Sequence, residues 1–96
     1  MLEYVLRHLG YIGCDDTTKQ KVQDMMERGQ EYLSRYDPGI DWTKPTPMQK
    51  GLLKDFCLYE QSNALDDFKV NYRAELLDLY HDYLSRKSEA ENADDV

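Results

Sequence analysis

The sequence predicts an all-α protein: a small bundle of about four helices, over residues 2–10, 17–36, 47–61 and 64–85, with a disordered acidic C-terminal tail. Three observations predict it. Apolar residues return every three or four positions through most of the chain, the period of a helix with one buried face. Helix-start and helix-stop residues punctuate that pattern at Gly10, Asp15–Thr18, Asp37-Pro38-Gly39 and Thr46-Pro47. The large apolar residues are mostly Leu and Tyr, with few Val and Ile, which disfavours a sheet.

The first helix rests on Leu2, Val5, Leu6 and Leu9, and Gly10 ends it as a C-cap. In the connector that follows, Ile12 is expected to pack inward. Asp15, Asp16, Thr17 and Thr18 can each cap the second helix, and Thr17 with Gln20 would make a capping box. Capping outranks metal binding for Asp15 and Asp16, because the further oxygen ligands and glycine of a calcium loop are missing. The stripe of the second helix is Val22, Met25, Met26, Gly29, Tyr32, Leu33 and Tyr36. Its outer face carries Asp24–Arg28 and Glu31–Arg35, pairs four apart. Gly29 inside the stripe costs about 1 kcal/mol of helix propensity against Ala, which points to close approach of another helix.

Asp37-Pro38-Gly39 stops this helix, and a short loop with Ile40 and the single Trp, Trp42, leads to the next. Ile40 and Trp42 are expected to fold back on the core. The alternative is that Trp42 anchors a partner, since Trp is enriched at interface hot spots. Thr46, Pro47 and Gln49 supply an N-cap, an N1 proline and a capping box for the third helix. Leu52-Leu53-Lys54-Asp55-Phe56-Cys57-Leu58-Tyr59 is apolar nearly all round, so the third helix is expected to be the central one. Ser62-Asn63 suggests a break, with Asn63 as a fresh N-cap. The last helix places Leu65, Phe68, Tyr72, Leu76, Leu79 and Tyr83 inward, widened by Leu77, Tyr80 and Leu84. Its other side forms an acidic ridge that includes Asp67, Glu75, Asp78 and Asp82, expected to face solvent or a channel.

Ninety-six residues make one domain, here 1–86, followed by an acidic tail over 87–96 whose near-lack of apolar residues predicts disorder. Formal net charge is −7, which opposes binding to nucleic acid backbones or anionic membranes. No apolar run approaches a membrane span of about 20 residues. Residues 1–13 are too short and polar for a signal peptide, so synthesis in the cytoplasm is expected. Cys14 and Cys57 are expected to be free thiols, with Cys57 serving as a small core residue.

The common catalytic, phosphate-binding and zinc-binding patterns are missing, and His8 and His81 lie on different helices. The chain therefore reads as a non-enzyme with neither cofactor nor metal. Eight Tyr against two Phe suit half-buried sites and interfaces, and make Tyr36, Tyr59 and Tyr72, with Trp42, candidate protein contacts.

From Gly51 onward a resemblance becomes visible. Leu52 to Tyr59, then Ser62-Asn63-Ala64-Leu65-Asp66-Asp67-Phe68, Asn71-Tyr72 and Glu75-Leu76-Leu77-Asp78-Leu79 resemble the small head–tail connector proteins of long-tailed bacteriophages. The upstream layout is similar, so the likeness spans residues 3–84 as a pattern of apolar and aromatic positions. The resemblance implies an all-helical adaptor in the virion, at the head–tail interface, assembled in the bacterial cytoplasm. Such subunits form a ring with copies of themselves, commonly dodecameric. The ring joins the portal protein to a downstream head-completion or tail protein, and DNA passes through it without specific binding. The alternative from charge alone is a small acidic regulatory protein with a single protein partner, antitoxin-like or a DNA-mimicking inhibitor. Cations mixed along the second helix weaken the mimic.

Overall fold

The computed structural model describes residues 1–94, with side chains described through Glu89. Among the described residues every regular element is a helix: α1 (Leu2–His8), α2 (Asp16–Ser34), α3 (Pro47–Gln61), α4 (Leu65–Asn71) and α5 (Arg73–Asp94). Helix α3 is central and touches each of the other four. It buries Leu52, Leu53, Phe56 and Cys57. Around them lie Val5 and Leu6 of α1, Val22, Met26 and Leu33 of α2, Phe68 of α4, and Leu76 and Leu79 of α5.

Helix boundaries follow local chemistry. At the end of α1 the Tyr11 N–H donates to the Leu6 carbonyl at 2.9 Å and the Gly10 N–H to that of Arg7 at 3.1 Å. This closure requires a left-handed residue between them, and Gly10 supplies it at φ +84°. The end of α3 repeats the motif with Asn63 at φ +54°: the Ala64 N–H reaches the Tyr59 carbonyl at 2.8 Å. Asn63 therefore terminates α3 rather than capping α4, whose N-cap is Ala64 without a side-chain bond. The Thr46–Gln49 capping box forms as expected, with Gln49 N–H to Thr46 Oγ1 at 3.2 Å and Thr46 N–H to Gln49 Oε1 at 2.9 Å. At α2 the expected Thr17–Gln20 box does not form. The stronger acceptor one turn earlier, Asp15, takes the Thr18 N–H at 2.8 Å, and Gln20 donates to Asp24 instead.

Four other expectations change. Residues 64–85 are two helices, because Tyr72 leaves helical geometry at φ −109°, ψ 21°. No Gly or Pro marks this break. Packing imposes it, with the Tyr72 ring stacked on Phe68 at 4.8 Å and its hydroxyl bonded to Asp55 of α3. With α5 turned there, Leu76 and Leu79 face the core while Leu77, Tyr80 and Leu84 remain on the outside. Ile12 also stays outside, 88% exposed, because the closure after α1 carries it past the core edge. Finally, the expected disordered segment 87–96 is helical as far as Asp94: Lys, Glu and Ala favour helix, and no breaker follows Arg86. Residues 95–96 of that expectation lie outside the described residues.

The molecule measures 53 × 27 × 17 Å. A 22-residue helix spans about 33 Å, so α5 supplies most of the long axis.

Candidate functional site

Three constellations stand out where α2, α3, α4 and α5 pack on one another. The first is an aromatic seam. Tyr36 packs on Tyr32 at 5.9 Å, Tyr32 on Phe68 at 5.9 Å, and Phe68 on both Tyr59 at 5.6 Å and Tyr72 at 4.8 Å. The edge-to-face and offset geometries are those the ring quadrupole favours. Polar tips are used as well: the Tyr72 hydroxyl donates to Asp55 Oδ2 at 3.0 Å, and Tyr59 accepts from Asn71 at 3.0 Å. Burial pushes the Tyr72 phenol up to about 12, helped by the Asp55 carboxylate. His8 Nε2 lies 3.3 Å from Asp55 Oδ1, without the alignment of a hydrogen bond.

Three of the four residues expected at protein contacts, Tyr36, Tyr59 and Tyr72, are thus joined in one seam that holds α2, α3 and α4 together. Trp42 stands apart from it and packs, with Ile40, against the edge of the core. The acidic ridge is exposed along its length at Asp67, Glu75, Asp78 and Asp82, and Asp82 sits 3.5 Å from Arg86.

The second constellation is ionic. Asp37 is completely buried at the end of α2. Its Oδ1 accepts the Gly39 N–H at 2.9 Å and its Oδ2 is held by the Arg86 guanidinium from α5. Arg28 of α2 reaches Glu60 of α3 rather than Asp24 as expected, Nε to Oε1 at 2.7 Å. Arg35 likewise lies over the Tyr32 ring, 5.6 Å from its centroid. Sequence reading missed both cross-links, because partners 49 and 32 positions apart carry no local signal.

The third is an open groove of about 370 Å³, lined by Tyr36, Lys69, Val70, Arg73, Leu76 and Leu77. Its walls are apolar and its rim carries two cations. Val70 is 74% exposed, and the apolar surface continues along α5 through Leu77, Tyr80 and Leu84. Within α5 the stripe has a helical period, Leu77, Tyr80 and Leu84, and Val70 joins it from α4 across the Tyr72 break.

Among the described residues, no three His, Cys, Asp or Glu side chains converge as a metal site. Cys14 and Cys57 are free thiols, and burial pushes that of Cys57 up to about 12. No helix of the described residues is long and apolar enough to cross a membrane. Compared with known proteins, the chain matches no family model, no curated protein and no solved structure.

Proposed function

We propose that this chain is a subunit of a phage head–tail connector, an adaptor that forms a ring beneath the portal and joins the DNA-filled head to the tail. The observation that carries this reading is the ordered pattern Leu52–Tyr59, Ser62–Phe68, Asn71-Tyr72 and Glu75–Leu79, which now lies on α3, α4 and α5. Its neighbours in this reading are further copies of itself, the portal protein above and a head-completion or tail protein below. Two physical features support it. The outer surface of α4 and α5 keeps Val70, Leu77, Tyr80 and Leu84 exposed, more apolar side chains in one stripe than a solitary subunit needs. The exposed carboxylates Asp67, Glu75, Asp78 and Asp82 suit a channel wall, because a negative lining does not hold DNA that must slide past.

Deleting the gene from the phage or prophage that carries it tests the reading. DNA-filled heads and free tails that fail to join are expected, with joining restored by the purified protein. Normal tailed, infectious particles without the protein would overturn it.

A further inference from the structure

The groove between α4 and α5 and the connector between α1 and α2 complement each other in hydropathy and in charge. In the connector, Ile12 is the most exposed of the large apolar side chains, at 88%. Yet the backbone around it is held. Before it, the Tyr11 hydroxyl accepts from Gln61 Nε2 at 2.8 Å; after it, Asp15 is fixed as the cap of α2. Gly10 and Gly13 flank the pair Tyr11-Ile12, both left-handed and both with open space where a Cβ would stand. The connector thus presents one apolar side chain on a bare, anchored backbone. Two exposed carboxylates, Asp15 and Asp16, follow three and four positions on.

The groove is the converse. Val70, Leu76 and Leu77 give it apolar walls, and the cations Lys69 and Arg73 stand on its rim. Among the described residues neither cation pairs with a carboxylate. An isoleucine entering this groove leaves water for aliphatic surface, while carboxylates beside it meet the two free cations. Opposite charges ringing an apolar contact steer the encounter and fix its register. Because the connector is already ordered, little conformational freedom is lost when it docks.

One chain cannot make this contact with itself. Asp16 opens α2 and Tyr36 of the groove lies just beyond its end, so this 19-residue helix, about 28 Å long, separates the two sites. The bond from Gln61 to Tyr11 keeps the connector at its own end of the bundle.

We infer that the groove is a docking site for a second copy of this chain, whose Ile12 enters between Val70, Leu76 and Leu77 while its Asp15 and Asp16 face Lys69 and Arg73. The contact joins two different surfaces, one from each copy. It concerns the purified chain alone and does not rest on the connector reading; loss of one leaves the other standing.

Sedimentation equilibrium of the full chain over a wide concentration range, at low and high salt, tests it. Reversible self-association that weakens with salt is expected. Ile12→Lys spoils the connector and Val70→Glu spoils the groove, and each should weaken association at least about tenfold, as loss of a central apolar anchor does. Both side chains are exposed, so circular dichroism should report unchanged folding. Mixed in equal amounts, these two proteins should form a one-to-one dimer and nothing larger, because each keeps the half of the contact that the other lacks. Lys69→Glu with Arg73→Glu should also weaken association, and mixing that protein with Asp16→Lys should recover part of it. A monomer at every concentration overturns the proposal. So does association indifferent to Ile12→Lys, which would put another occupant in the groove, such as the same groove of a second copy. A mixture of the two spoiled proteins that stays monomeric overturns it as well.

Discussion

The hydroxyl of Tyr72 has a pH signature of its own. Its folded value is raised to about 12 from an ordinary 10.0 by burial, with a lesser push from Asp55. A group whose folded value is raised contributes stability fully below its unfolded value and loses it as pH rises through the folded one. That contribution is thus intact below pH 10 and disappears between pH 10 and 12. Cys57, raised by burial from 9.0 to about 12, begins its own loss near pH 9. In urea melts against pH, Tyr72→Phe should cost about 1 kcal/mol at neutral pH for the lost hydrogen bond. Between pH 10 and 12 it should then lose less stability than the parent. Equal alkaline losses in both proteins would show that Tyr72 does not carry the effect. Nothing local announces this role: in the sequence Tyr72 is one more aromatic on a helical stripe, and its partner Asp55 lies 17 positions away.

At the scale of elements, the contact of α2 with α3 turns on Gly29. An added Cβ there would stand 2.6 Å from Leu53 Cδ1 and 2.9 Å from Phe56 Cδ1. Leu53 and Phe56 are both buried in the core, so making room for the methyl means repacking both. Overpacking of this kind costs about 1–3 kcal/mol, against about 1 kcal/mol gained in helix propensity. Gly29→Ala should therefore lower the melting temperature by several degrees, given about 4–8 °C per kcal/mol in a domain of this size. A higher melting temperature would mean that α2 and α3 sit further apart. This approach was readable in the sequence, because a glycine on an apolar helical face already departs from local preference. The same holds for the Thr46–Gln49 box, for Gly10, and for the all-apolar stretch that makes α3 central. Where propensity and packing disagree, the sequence misleads. Tyr72 breaks a helix that no residue forbids, and the break exposes Leu77, Tyr80 and Leu84, which periodicity alone assigns to the core. The cationic rim of the groove stayed hidden for the same reason, since Lys69, Val70, Arg73 and Tyr36 come together only across that turn.

At the scale of the whole molecule, α5 needs more than its own contacts to stay on the bundle. Leu76 and Leu79 anchor its first half, and beyond them most of its described side chains are exposed. The far anchor is Arg86, which reaches back to Asp37 at the end of α2 and ties helices that are distant in sequence. The two ends of this link are unequal. Arg86 is about half exposed and can return to water, whereas Asp37 is enclosed and retains only the Gly39 N–H. Removing the cation strands a buried carboxylate, a loss on the order of 3 kcal/mol. Arg86→Met should thus destabilise strongly. Amide exchange should quicken around Asp37 and in the second half of α5, while α3 keeps its protection relative to global unfolding. Adding Asp37→Asn to that variant should recover part of the loss, because the side-chain oxygen still accepts from Gly39 and the charge is gone. If Asp37→Asn deepens the loss instead, the carboxylate is not the stranded group, and packing of the arginine stem holds α5 in place.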